Sequence, residues 1–191
     1  MRGWWYLFHK AFTPIECSEL IAYAQTHKPV QATIGHGGKS EVHSMRSSTV
    51  RWLDASDPNI IRLTLRLKKI FLEANTKMFG VDYHDFYELQ FTEYPSSTGG
   101  HYDWHEDNCW KPAPEKFNMW DRKLSLVVQL SAPDSYSGGK LEFERDPLGA
   151  GQFCNQGDVI VFPSINRHRV TPVTAGMRYS LVTWAVGPRW K

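Results

Sequence analysis

His105-Glu106-Asp107 is the stretch of this sequence with the clearest capacity for chemistry. On a β-strand, residues i and i+2 point to one face, so an imidazole and a carboxylate two apart can reach one metal ion together. A third donor has to come from elsewhere in the chain. His168 is the candidate, because it follows the apolar run Val159-Ile160-Val161-Phe162-Pro163 and opens the next extended segment. Two His and one carboxylate occupy one face of an octahedron and leave three positions open, as non-haem iron sites that handle O2 require. Manganese and zinc accept the same donors. By itself the motif is weak. The chain has 8 His, and a lone His-x-Asp is more often surface polarity than a ligand pair. His101-Tyr102-Asp103 is a second such pair of the same strand parity, and geometry along the strand does not separate the two.

Arg178 is the second feature. It precedes Tyr179-Ser180-Leu181-Val182-Thr183-Trp184, with no acid close in sequence. A guanidinium beside so apolar a strand is costly unless it is paired. A carboxylate arriving with a ligand would match its fork of donors. The plainer alternative is an exposed Arg on an edge strand.

The elements that must position these residues fit one domain, since the chain has 191 residues and 41% hydrophobic content. The formal net charge is +2, with no run of five like charges. Composition thus argues for neither a nucleic-acid nor a membrane partner. No apolar stretch approaches 18 residues, the length needed to span a bilayer. Cys17, Cys109 and Cys154 are few, odd in number and far apart, which suggests neither a disulfide framework nor a thiolate zinc site. A reducing, cytoplasmic setting is expected. The apolar run near Trp4 to Phe8 is shorter than a signal-peptide core and reads as a first strand.

Thr13-Pro14-Ile15-Glu16 predicts a helix start with a capping box. A second helix is expected from Asp57-Pro58 to Gly80, carrying Ile60, Ile61, Leu67, Ile70, Phe71 and Met78. Residues 31–48 read as a loop and Thr49 to Leu53 as a strand. After Val81 the texture changes to short strands near 85–94, 102–107, 123–131, 140–145, 158–162, 168–174 and 178–186, separated by Gly and Pro clusters. The expected fold is α+β: a jelly roll, or double-stranded β-helix, buttressed by N-terminal helices. It forms a single domain over 1–191, with helical support and first strands in 1–80 and the jelly-roll core in 81–191. The open mouth of such a core is a natural ligand site.

Residues 86–184 resemble the prolyl 4-hydroxylase-like branch of the iron(II)/2-oxoglutarate dioxygenases. The resemblance is carried by Gly99-Gly100-His101-Tyr102-Asp103-Trp104-His105-Glu106-Asp107, which fits that family's Gly-x-x-Tyr-x-x-His-x-Asp. It continues through Arg122-Lys123-Leu124-Ser125-Leu126 and Gly138-Gly139-Lys140-Leu141-Glu142-Phe143. It closes with Gly157-Asp158-Val159-Ile160-Val161-Phe162-Pro163, His168-Arg169-Val170-Thr171-Pro172-Val173 and Gly176-Met177-Arg178-Tyr179-Ser180. Phe12 to Cys17 and Arg46-Ser47-Ser48 are similar to the family's helical support, so the likeness covers nearly the whole chain.

The resemblance implies that His105, Asp107 and His168 bind iron(II), and its Gly–Tyr spacing selects them over His101 and Asp103. It implies that Arg178 binds the distal carboxylate of 2-oxoglutarate, and that Tyr94 hydrogen-bonds the same co-substrate. Gln129 stands where some relatives have another Tyr. Arg122 and Trp184 fall at positions that face substrate and iron. The implied reaction consumes O2 and 2-oxoglutarate, releases succinate and CO2, and hydroxylates a prolyl residue in a peptide or protein; ascorbate would be an optional reductant. The loops at 31–48 and 108–121 would close over an extended peptide, with Trp110, Phe117 and Trp120 against a pyrrolidine ring or simply packed on the body. Three other readings stay open at this stage. They are the same chemistry on a non-prolyl substrate, an inactive jelly-roll binding module, and a zinc hydrolase. The hydrolase needs a general base near the metal, and Glu106, of opposite strand parity, is poorly placed for that.

Overall fold

The computed structural model describes residues 3–33, 44–86, 88–108, 120–145, 147–149 and 152–190. Most of the expected loops at 31–48 and 108–121, with Trp110 and Phe117, lies outside the described residues.

The chain begins with strand β1 (Tyr6–Phe8) and helix α1 (Pro14–Gln25). The helix starts where its capping box places it. Glu16 N donates to Thr13 Oγ1 at 3.2 Å, and Thr13 N donates to Glu16 Oε2 at 2.8 Å. Short strands β2 (Val30–Gln31) and β3 (Arg46–Ser47) come next, and β4 (Thr49–Asp54) follows. Helix α2 (Ile61–Ala74) starts four residues after Asp57, later than expected. Asp57 instead closes a turn, with Oδ1 accepting Asn59 N at 2.8 Å. The helix runs into a single π-turn (Asn75–Phe79) that stops at Gly80, φ 62°. It buries Leu67, Ile70, Phe71 and Ala74, while Ile61 is 40% exposed.

The remaining strands are β5 (Glu88–Pro95), β6 (His101–His105), β7 (Asp121–Gln129), β8 (Tyr136–Gly138), β9 (Leu141–Phe143), β10 (Val159–Pro163), β11 (His168–Val170) and β12 (Val173–Gly187). They form two facing sheets, the layers of a jelly roll. The larger runs β1-β10-β7-β12-β5-β4-β2, with β8 added to β12, and the smaller runs β3-β6-β11-β9. Every pairing is antiparallel.

The larger sheet has two buried faces. One packs on the helices, with Leu53, Leu89, Phe91, Leu124, Leu126, Val128, Val159, Val161, Leu181 and Ala185 against Leu20, Leu67 and Phe71. The other faces the smaller sheet across Tyr94, Val127, Leu141, Phe143, Ile160, Phe162, Val170 and Val173. Alternation along β7 and β12 assigns successive residues to opposite faces.

Two expected boundaries move. The segments at 168–174 and 178–186 become β11 and one long strand β12. Strand β12 continues through Gly176 (φ 71°), because its first part pairs with β8 and its later part with β5 and β7. Arg178 therefore lies inside a central strand, not at the start of an edge strand. The strand expected over 102–107 ends at His105.

Candidate metal centre and carboxylate pocket

Antiparallel pairing of β11 with β6 sets His168 directly opposite His105. Their ring centroids are 4.2 Å apart. Asp107 lies just past the end of β6, so strand alternation does not aim it. Its backbone N donates to Ser164 O at 2.9 Å, and Ser125 Oγ on β7 donates to its Oδ2 at 2.6 Å. Ser164 Oγ lies 2.9 Å from Ser125 Oγ and closes the support. Asp107 Oδ1 then sits 3.5 Å from His105 Nε2, and Oδ2 sits 3.8 Å from His168 Nε2. One donor atom from each of the three residues lies within 4.8 Å of the others, a spacing that could hold a metal ion.

The far side of each imidazole is tied down. His105 Nδ1 is 2.7 Å from Asp103 O, and His168 Nδ1 is 2.9 Å from Asn166 O. A carbonyl only accepts, so each Nδ1 carries a proton, and in a neutral ring the Nε2 lone pair then faces the cluster. Tyr102 stacks on His105 with centroids 3.4 Å apart, and Phe162 meets His168 edge-on at 4.7 Å. Burial, and next the neighbouring His105, push the His168 pKa down to about 4, which keeps that ring neutral at ordinary pH. Burial opposes the charge on Asp107. The pull of His168, then of His105, then of Arg122 overcomes it and holds the carboxyl below the usual carboxylate range.

The competing pair lies outside this cluster. His101 has both ring nitrogens against backbone carbonyls, Gly99 O at 2.8 Å and Ser44 O at 3.1 Å, and Asp103 is exposed.

Arg178 is 1% exposed, and its Nε and Nη1 are buried without a hydrogen-bond partner. It stands opposite Tyr94 in the β12–β5 register, with its Cζ 5.5 Å above that ring. Gly139 makes room for it, since a Cβ there would come within 2.8 Å of Arg178 Cδ. Gln129 lies one strand away, opposite Ser180, and its Nε2 donates to Tyr136 Oη at 3.0 Å. A buried guanidinium with idle donors, lined by Tyr94, is chemically fitted to a carboxylate. Arg122 Cζ lies 3.6 Å from the Trp184 ring, and Trp184 pairs with Ser125, the residue that holds Asp107. Trp120 is 49% exposed and edge-on to His84 at 4.3 Å.

Sequence reasoning missed the supports: Ser125, Ser164 and Asn166 around the cluster, and Tyr136 beside Gln129. Ser125 carried one weak signal, a hydroxyl within an otherwise apolar strand.

A jelly roll whose two sheets bring two His and one Asp together, with an Arg that has two idle donors buried against Tyr94, defines the class of a non-haem metal oxygenase fold. The profile of the 2OG-Fe(II) oxygenase superfamily matches residues 89–186, just over half of the sequence, and the chain belongs to that superfamily. A PKHD-type hydroxylase of Teredinibacter turnerae is 40% identical over 86 residues, which are 45% of this chain and 38% of that protein. The matched segments span about two-fifths of the length of the first five curated relatives. Among solved structures, a Pseudomonas putida prolyl-4-hydroxylase superposes with a TM-score of 0.69 at 20% identity, covering 98% of this chain and 93% of that one. A Trichoplax adhaerens prolyl hydroxylase, in complex with a hypoxia inducible factor oxygen degradation domain peptide fragment, gives 0.69 at 18% identity, with 95% and 82% covered. Among the described residues no helix is long and apolar enough to cross a membrane.

Proposed function

We propose that this protein is an iron(II)- and 2-oxoglutarate-dependent dioxygenase that hydroxylates prolyl residues of a peptide or protein. The observation that carries the reading is Arg178, a buried cation with two idle donors against Tyr94, in the same fold as a His–Asp–His cluster whose ligand atoms face one another. His105, Asp107 and His168 would hold the iron, and Arg178 would take the distal carboxylate of 2-oxoglutarate, with Tyr94 beside it. When bound, iron(II) would activate O2, the oxidant, with 2-oxoglutarate giving up two electrons: O2 and 2-oxoglutarate are consumed, succinate and CO2 leave, one oxygen atom goes to succinate and the other enters a substrate C–H bond.

The chain's own task is positioning and exclusion of water. The Nδ1 bonds fix both imidazoles, and Ser125 with Ser164 fixes the carboxylate. Apolar Phe143, Phe162 and Val170 wall the site from solvent. Arg122 and Trp184 face the incoming substrate. A peptide partner is supported by the peptide bound to the Trichoplax neighbour. A reducing, cytoplasmic setting fits the three cysteines, Cys17, Cys109 and Cys154, which are odd in number and far apart in sequence.

The test is aerobic incubation with iron(II), 2-oxoglutarate and proline-containing peptides, read by succinate formation and peptide mass. The expected result is succinate in step with a gain of one oxygen on proline. Succinate coupled to oxidation of a different residue would contradict the prolyl assignment. Failure to consume 2-oxoglutarate with any substrate would contradict the class.

A further inference from the structure

Beyond the cluster and Arg178, four polar side chains lie near the metal site: Arg46, Arg122, Trp184 and Asn108. Arg46, on β3, is 9% exposed, and its Nε donates to Ser48 Oγ at 3.0 Å. Its Cζ lies 4.5 Å above the Tyr102 ring, and His105 stacks on the same ring at 3.4 Å. Arg122 is half-buried with its Cζ 3.6 Å above Trp184. Among the described residues, neither guanidinium has a carboxylate within ion-pair distance. Trp184 Nε1 and Asn108 Nδ2 are buried with no partner, and Asn108 directly follows Asp107.

Trp184 Nε1 and Asn108 Nδ2 are donors that lack an acceptor, and the two guanidiniums, though Arg46 reaches Ser48, lack a counter-ion among the described residues. Stacking on an aromatic ring holds a guanidinium plane in place but leaves its N–H groups unused. The two cations also act unfavourably on each other. Burial lowers the Arg122 pKa most, Asp107, Glu88 and Tyr102 raise it, and Arg46 lowers it further. Of the acids, Asp107 is committed to the cluster, and Glu88 is exposed on β5 without reaching the guanidinium. Two sequestered cations beside buried idle donors are costly unless an anion arrives.

We propose that the substrate brings a carboxylate into this corner, held by Arg46 and Arg122 above Tyr102 and Trp184 next to the carbon that is oxidised. The inference rests on the dioxygenase reading and narrows its substrate to an acidic one. The carboxylate comes either from a chain terminus or from an acidic side chain beside the reacting residue. Charge-assisted bonds of this kind favour acid over amide by roughly ten- to a hundred-fold.

The experiment uses anaerobic protein loaded with iron(II) and saturating 2-oxoglutarate, so that Arg178 is occupied. Formation of the weak visible charge-transfer band is checked first. Binding of N-acetylproline is then compared with N-acetylprolinamide, for a terminal carboxylate. Acetyl-Pro-Asp-amide is compared with acetyl-Pro-Asn-amide, for a side chain. The expected result is a preference of at least roughly tenfold for the acid in one pair. That preference should fall to near one in Arg46→Gln and Arg122→Gln and survive in part in the Lys variants. Equal binding of acid and amide in both pairs, binding of none of the probes, or a preference that survives both Gln substitutions would overturn the inference. If the band forms and acid and amide bind alike, this inference fails alone; if no band forms, the dioxygenase reading fails and takes it along.

Discussion

The two faces of the larger sheet are made by the same strands and differ in what they ask of their residues. On β7, Leu124, Leu126 and Val128 turn toward the helices, and Ser125, Val127 and Gln129 turn toward the smaller sheet. On β12, Leu181 and Ala185 oppose Arg178, Ser180, Val182 and Trp184. The helix side is closed and apolar, so its residues are satisfied by packing alone. The inner side buries Ser125, Gln129, Arg178 and Ser180, groups that need partners. Some partners are internal, as with Ser125 on Asp107. At Arg178 two donors have none, and under the proposed function a ligand would supply it.

Substitutions on the two faces should separate stability from binding. The largest effect is expected for His168→Ala, which removes a donor from the cluster. Loss of a supporting group alone weakens metal sites by about ten- to a hundred-fold, so loss of the ligand should exceed about a hundredfold. Competition titration with a metal indicator checks this, and unchanged affinity would remove His168 from the site. Next comes Arg178→Met. It should weaken 2-oxoglutarate binding by roughly a hundredfold, while the thermal midpoint without ligand stays level or rises, because an unpaired buried charge is gone. A large drop in that midpoint would mean that Arg178 is structural.

A neighbouring pair on β7 gives the sharpest contrast. Leu126→Ala should cost about 2–5 kcal/mol of stability from the cavity left among α1, α2 and the sheet, with metal affinity unchanged in the folded protein. Ser125→Ala should do the reverse, costing little stability while weakening metal binding by about tenfold or more. Denaturant titration and metal titration on both variants decide it; parallel losses would mean that the faces are not independent.

The smallest effect belongs to the helix side. The Arg66 hydrogen bond, then the Thr13 backbone, hold the Glu16 pKa down to about 2. A depressed acid adds stability above its unfolded pKa and loses it as pH falls through the folded value. The Arg66–Glu16 pair is about two-fifths exposed, so Glu16→Gln should cost under about 1 kcal/mol at neutral pH. The deficit should vanish toward pH 2, as thermal melts at several pH values would show.

Much of this was legible in the residues. Thr13 and Glu16 announced α1, and the apolar runs announced β7, β10 and β12. His105, Asp107 and His168 were readable as types in a pattern, but the pairing that sets His168 opposite His105 is long-range and leaves no local trace. Asp57 read as a helix start because its side chain can cap, yet it closes a separate turn. The gap expected between 174 and 178 is absent, because pairing with β8 carries the strand through Gly176 at positive φ. Ser125 left only a weak trace and Ser164 none, since a small hydroxyl looks the same whether or not it supports a carboxylate. Arg178 was readable as a costly residue, but its true cost required knowing that β12 is central.

The most direct measurement is anaerobic. Iron(II) and 2-oxoglutarate are added to the metal-free protein and the visible spectrum is recorded, with His105→Ala and Arg178→Ala alongside. A weak charge-transfer band is expected in the wild type, absent in His105→Ala and diminished in Arg178→Ala. Bound metal with no band, or a band indifferent to both substitutions, would contradict the assignment of this cluster and this arginine to one shared site.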